Sequence, residues 1–448
     1  MRDLILVAFL FIAIYYSFKK PFIGVAAWVW IALMAPASWA FGFSQSFRLN
    51  LTIVLVTALS YVFVFKGKEF KFTRIHFWVF LFLLWTLIST ATNLNVDPDW
   101  VWDYWFNFLK ILMLFLFVTL VVTRRIHVDT VIWAIVLSIS AYAGMEALKF
   151  LLSAGSHRIT GRAGIIADRN DLAVAINMSI PLIVYLLQVS KHKWVKRGLS
   201  VLLILNILSI VGTYSRAGFI GLMILGTALW WNSKHRVSIL LVAVVSIPLL
   251  YGAAPDSWKE RQSTVSTAAE EDLSFIGRLW AWKISTMIAV DHPFFGGGFA
   301  AVRDPILWAH YGARTPHYPP IYTRPIPDTI IPKAAHNIFM QVLGDHGFGG
   351  LFVFCMILFS AWRVNLITRK KAREHNQDWL VKLTTMLNLS FLAYAINGCN
   401  VSLAYFDEFY ALAGLVAVLF ANQLWKESTD KSAKQTTPGH DHHVTRSF

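Results

Sequence analysis

Long apolar runs separated by short polar connections recur along this chain. Leu4 to Phe18, Leu49 to Phe65, Ile75 to Ala91, Trp105 to Val122 and Val237 to Tyr251 are nearly free of charge. Each approaches the roughly 20 residues that cross the hydrocarbon of a bilayer as a helix. The pattern predicts an all-α, polytopic transmembrane helical bundle. Composition agrees, because 56% of the residues are hydrophobic, 15% are charged and the mean hydropathy is +0.55, more apolar surface than a soluble core hides. The first run follows only Met1, Arg2 and Asp3 with no small-residue cleavage site, so it reads as retained.

Charge then orients the bundle. Basic clusters at Lys66, Lys68, Lys71 and Arg74, at Arg124 and Arg125, at Lys191 to Arg197, at Lys234 and Arg236, and at Arg369 to Arg373 fall in alternate connections. The positive-inside rule makes these cytoplasmic, so the net charge of +15 reflects insertion and no nucleic-acid partner is expected. Counting outward from them gives thirteen spans with an external N-terminus, or twelve if Phe22 to Ala35 fails to cross. The expected organisation is an N-terminal bundle over 1–252, a large external loop over 253–335, C-terminal helices over 336–425 and a disordered cytoplasmic tail over 426–448.

Within the loop, Leu273, Ile276, Trp280, Ile284 and Met287 repeat at helical spacing. From Asp304 to Pro332, Pro305, Pro316, Pro319, Pro320, Pro325, Pro327 and Pro332 exclude regular helix. That stretch reads as a stiff spacer or as a lid lined by Trp308, Tyr311, Tyr318 and Tyr322.

The informative anomaly is a group of arginines on the external side. Arg158, Arg162 and Arg169 crowd one connection and Arg216 opens the span after another. Any one of them is explained by snorkelling to headgroups. Together they suit a lipid-linked phosphate or diphosphate, whose oxygens a guanidinium binds bidentately. Glu146 and Lys149, one turn apart, read as an internal ion pair. His336, followed by Asn337 at the head of an apolar helix, stands where an imidazole takes a proton from a substrate hydroxyl, although an interfacial histidine taken alone is more often an anchor.

Other signals are weaker. Gly296-Gly297-Gly298 lacks the strand and lysine of a nucleotide loop and reads as a tight turn. Asp97-Pro98-Asp99 reads as an exposed turn before a metal site, and His440 to His443 lie in the polar tail, so no metal and no cofactor is expected. Cys355 and Cys399 sit in apolar segments and offer no disulfide framework.

Gly277-Arg278, Trp282, Asp291-His292-Pro293, Gly296-x-Gly298, His336-Asn337 and Leu343-x-Asp345-x-Gly347, in this order, resemble the shared signature of the O-antigen ligase and polymerase superfamily. Ser215-Arg216-Ala217-Gly218 and Gly161-Arg162 with Asn170 are similar to its upstream arginine motifs, while Asp345 stands where glutamate is expected. The N-terminal segment, with Met1-Arg2-Asp3, Pro21, Gly24 and Trp28, resembles exosortase-associated O-glycosylation ligases. The resemblance implies a GT-C-like membrane protein of the bacterial inner membrane with its site facing the periplasm. It implies inverting, metal-independent transfer of O-antigen from an undecaprenyl-diphosphate donor to a lipid A core hydroxyl, with membrane lipids as surroundings. His336 is then the general base, Arg216, Arg278, Arg162, Arg158 and Arg169 hold the diphosphate, and Asn337, Asn170 and Trp282 support them. A polymerase or a protein O-oligosaccharyltransferase remains an alternative within the resemblance. A lipid-linked solute transporter is the distant rival, and it would place charges at mid-bilayer and show an internal repeat.

Overall fold

The computed structural model describes residues 2–40, 42–65, 70–162, 164–232, 236, 273–320 and 322–426. The expected span Val237 to Tyr251, the basic residues Lys66, Lys68 and Lys234, the loop from Ser257 to Asp272 and the tail with His440 to His443 lie outside them.

Among the described residues all regular structure is helical. The N-terminal part holds α1 (Arg2–Lys19), α2 (Pro21–Met34), α3 (Leu49–Phe63), α4 (Arg74–Ala91), α5 (Pro98–Val121), α6 (Arg125–Leu152), α7 (Arg169–Val189), α8 (Lys193–Gly212) and α9 (Arg216–Trp231). The segment expected to be external contributes α10 (Leu273–Asp291) and α11 (Pro305–Gly312), and α12 (Ile338–Glu374), α13 (Asp378–Gly398) and α14 (Asp407–Ala421) follow. Seven of these, α4 to α8, α12 and α13, are long and apolar enough to cross a membrane, and α2, α3 and α9 are shorter apolar helices. The chain is a polytopic helical membrane protein.

Helix starts follow from local chemistry. Asp97 caps α5 by accepting from the Trp100 amide, Asp168 caps α7 through the Asn170 amide, and Ser215 caps α9 through the Gly218 amide. Asn337 caps α12 through the amides of Phe339 and Met340, at 2.9 and 3.2 Å.

The short helix α2 packs along α6. At its start Phe22 stacks on His127, with ring centroids 4.0 Å apart, near the Arg125 end of α6. The turn that follows it meets Tyr142, in the second half of α6, and Arg162 in the connection after α6, through Ser38 and Trp39. A helix of 14 residues extends about 21 Å. Val25, Trp28, Val29 and Ile31 are buried along it. Asp3, at the start of α1, accepts from Ser44 Oγ at 2.6 Å and so sits on the Arg162 side.

The centre of the bundle is α7 against α13, with α12 packed on α4, α10 and α13. The hydrophobic window of α7 is 78% buried and that of α8 only 28%, which makes α7 central and α8 peripheral. The ion pair Lys149–Glu146 forms at 2.6 Å, and His157 Nε2 lies 2.7 Å from the other oxygen of the same carboxylate.

The 37-residue α12 is broken at Gly347, whose φ of 68° and ψ of −172° a side chain would disfavour. A break in a helix frees carbonyls that must find other donors. Here the Gly344 carbonyl accepts from the Gly297 amide at 3.0 Å and the Asp345 carbonyl from the Gly298 amide at 2.8 Å and Ser89 Oγ at 2.9 Å. The His346 carbonyl accepts from Trp85 Nε1 at 3.2 Å. A Cβ on Gly296 would meet the backbone of 344 to 347 at 2.6 to 2.7 Å, so the glycine run is a turn docked on the broken helix.

A small core of their own joins α10 and α11. Ile276, Trp280, Ile284 and Met287 of α10 are buried with Leu307, Trp308 and Tyr311 of α11. The expected exclusion of helix after Asp304 is corrected: Pro305 occupies the first turn, where its missing N–H costs nothing, and Asp304 caps α11. Trp308 and Tyr311 therefore pack inward, and of the four aromatics only Tyr322 is largely exposed, so they do not line a lid.

Candidate active site

The head of α12 is held with unusual firmness. The carbonyl of Ala335 accepts from Trp282 Nε1 at 2.6 Å, and the amide of His336 donates to Ser402 Oγ at 2.9 Å. Between these two anchors His336 adopts a left-handed backbone with φ of 45°. For a residue with a side chain that conformation costs about 1–2 kcal/mol. Two hydrogen bonds of about 1 kcal/mol each offset it. Such strain is stored where a side chain must be aimed.

Charge gathers around this imidazole. Burial holds its pKa below the ordinary value, the Arg278 guanidinium, Lys333 and Arg303 push the same way, and the Asp168 carboxylate opposes them. On balance the neutral imidazole is favoured, and its ring nitrogen can accept a proton. Arg278 is oriented by a bond from Nη1 to Asn400 Oδ1 at 3.3 Å.

The upstream motifs meet at one junction. Ser215 Oγ donates to Asn170 Oδ1 at 2.8 Å, which joins the head of α9, bearing Arg216, to the head of α7, bearing Asp168 and Arg169. Asn177 Nδ2 donates to the Gly218 carbonyl at 3.0 Å. Side chains at Gly221 and Gly398 would overlap Asn397 and Ile338, so α9 and the head of α12 both press on the end of α13. Arg169 carries a buried Nη1 with no hydrogen-bond partner among the described residues. That donor suits an anion.

The remaining arginines are placed differently. Arg162 donates from Nε to the Ser38 carbonyl at 3.1 Å and lies 4.9 Å over the Trp39 ring, which ties it to the turn after α2. Arg158 is exposed and makes no hydrogen bond among the described residues. Asp97 is occupied as a helix cap, and among the described residues no three of His, Cys, Asp and Glu gather as a metal site.

Asp345, 1% exposed, accepts from Tyr405 Oη at 2.9 Å and from the Ala301 amide at 3.2 Å. It locks α12 to the turn carrying Arg303 and to the connection carrying Asn400 and Ser402. Residues 201–355 match the O-antigen ligase family. The O-antigen ligase match takes in Arg216, Arg278 and His336 and bears out the resemblance read from the motifs. Residues 1–193 match a family of unknown function, which adds no chemistry. No curated protein matches the chain. Residues of this O-antigen ligase region and its surroundings that sequence reasoning missed are Lys333, Arg303, Asn400, Ser402 and Tyr405. The first two are isolated cations at either edge of the proline-rich stretch, and the others lie in a connection with no motif.

Proposed function

We propose that this chain is an O-antigen ligase of the bacterial inner membrane. It transfers a glycan from undecaprenyl diphosphate to a lipid A core hydroxyl on the periplasmic face. The observation that carries this reading is the strained His336, whose imidazole feels the charges of Arg278 and Asp168, while Asp168, Asn170 and Ser215 tie together the heads of α7 and α9, the latter bearing Arg216. His336 takes the proton of the acceptor hydroxyl as its oxygen attacks the anomeric carbon. The sugar-phosphate bond breaks with inversion, and Arg216, Arg278 and Arg169 neutralise the departing diphosphate. Arg162, held by Ser38 and Trp39, and the exposed Arg158 assist from further out. The donor is already activated, so ATP is not needed. Asn337 supports the base by capping α12, Trp282 by pinning the peptide before it, and Asn170 by fixing the Arg216 turn.

The test is transfer by the purified protein in detergent, with undecaprenyl-diphosphate-linked glycan and no energy source. Lipid A core, donor glycan alone and a hydroxyl-bearing peptide serve as separate acceptors. Product on lipid A core supports the ligase. Product only on donor glycan indicates a polymerase, and product only on peptide a protein O-oligosaccharyltransferase. No product with any acceptor overturns the reading.

A further inference from the structure

The first turns of α5 carry two stripes of side chains. Asp99 and Asp103 are exposed one turn apart, and beside them Trp100 and Tyr104 are half-buried with ring centroids 5.2 Å apart. Arg303 closes the group. Its Nη1 donates to Tyr104 Oη at 2.9 Å, and its guanidinium lies 5.4 Å from the Trp100 ring centroid.

The group is fixed to the active-site frame. Leu94 N and Asn95 Nδ2 donate to the Gly297 carbonyl at 3.0 and 2.9 Å, and the Val96 amide donates to Asp304 Oδ2 at 2.9 Å. The same turn is held on α12 by Asp345. Aromatic rings, carboxylates and a guanidinium in one rigid patch are what a sugar ring needs. The negative ring face meets polarised C–H bonds, and the charged groups take the hydroxyls. Interfacial tryptophan and tyrosine also anchor membrane proteins. Two carboxylates in the patch oppose contact with anionic headgroups.

Its flank decides which sugar. Arg216 lies on α9, which packs on α7, α8 and α13, whereas α5 packs on α2, α4 and α14. The head of α12, with His336, presses on α13, and α12 packs on α4 on its other side. Inversion requires the incoming oxygen to approach opposite the leaving diphosphate. We propose that Trp100, Tyr104 and Arg303, flanked by Asp99 and Asp103, form a saccharide platform that seats a ring of the acceptor on the flank of His336 away from Arg216. The proposal rests on the ligase reading and makes the acceptor a saccharide.

The experiment uses the full chain in nanodiscs with lipid A core oligosaccharide as probe. Saturation-transfer NMR should show sugar-ring protons in contact with aromatic protons of the wild type. The contact should be lost in Trp100→Ala and Tyr104→Ala and kept in Trp100→Phe. In transfer assays Trp100→Ala should raise KM for the oligosaccharide about tenfold while KM for the donor and kcat change less than about twofold. Unaltered oligosaccharide contacts and KM in both alanine variants overturn the platform and leave the ligase reading intact. An equal rise in KM for donor also overturns it, as does a loss that follows a lowered unfolding temperature. Contacts present in a wild type that transfers to no acceptor would sink the ligase reading and keep the platform.

Discussion

His336 can be tested in a way that separates chemistry from architecture, because its backbone and its imidazole make different demands. His336→Ala removes the ring and keeps the Cβ in a left-handed conformation with φ of 45°. His336→Gly removes the ring and the strain together. The left-handed backbone costs an alanine about 1–2 kcal/mol that glycine avoids. Glycine gives back about 0.5–1 kcal/mol through the greater freedom of its unfolded chain. The glycine variant should therefore be the more stable of the two by about 0.5–1 kcal/mol. A positioned general base contributes about 10²–10⁴-fold, so single-turnover transfer should fall at least about 100-fold in both variants alike. Donor affinity should stay within about twofold of wild type, since the base acts on the acceptor. The assay measures donor binding, unfolding midpoint at one scan rate and single-turnover transfer on one preparation of each variant. If His336 only secured the end of α12, activity would follow stability and glycine would outperform alanine. That ranking, or normal transfer in a stable His336→Ala, refutes the base.

Further outcomes follow from the same site. The imidazole is depressed by burial and then by Arg278, so transfer should fall on the acid side below the ordinary histidine pKa near 6.5, as the base protonates. Arg278→Gln removes a repelling charge and should move that limb upward in whatever activity remains; an unmoved limb would detach Arg278 from His336. Arg216→Lys and Arg278→Lys should lose donor binding and transfer together, because an ammonium cannot make the bidentate contact, and full activity in both would reduce these residues to surface anchors. Trp282→Phe and Ser402→Ala each remove one anchor of about 1 kcal/mol, so each should lower kcat roughly fivefold with donor KM unchanged, and loss confined to donor KM would contradict the anchoring role. Activity should survive EDTA; loss restored by magnesium or manganese would return Asp97 and Asp99 to the chemistry.

The fold was legible wherever a physical signal is local. Uncharged runs marked the bundle, Asn337 marked the start of α12, and the three-and-four spacing of Ile276, Trp280, Ile284 and Met287 marked the buried face of α10. Proline misled after Asp304, because a proline in the first helical turn begins a helix as readily as one in the interior ends it. The packing of α2 was not legible from its length. It depends on the contacts of Phe22 with His127 and of Arg162 with Ser38 and Trp39, made by residues far apart in the chain.

The site divides along the same line. His336, Arg278 and Arg216 belong to ordered motifs, and an arginine or histidine at a bilayer surface announces itself because its charge needs a reason to be there. Ser402, Asn400 and Tyr405 announce nothing, being neutral residues in a short connection, yet they hold the backbone of His336, the guanidinium of Arg278 and the carboxylate of Asp345. One buried carboxylate reaches both the turn of Arg303 and the connection of these three residues. Gly347 explains how it does so: the break in α12 turns the carbonyls of 344 to 346 outward to bind that turn and α4, while the Asp345 side chain stays inside. A continuous helix would satisfy those carbonyls internally and leave the glycine turn nothing to dock on. The departure from regular structure that sequence periodicity cannot register is therefore the feature that brings the segment bearing α10 and α11 onto the membrane helices, where the charges of Arg278 and Arg303 act on His336.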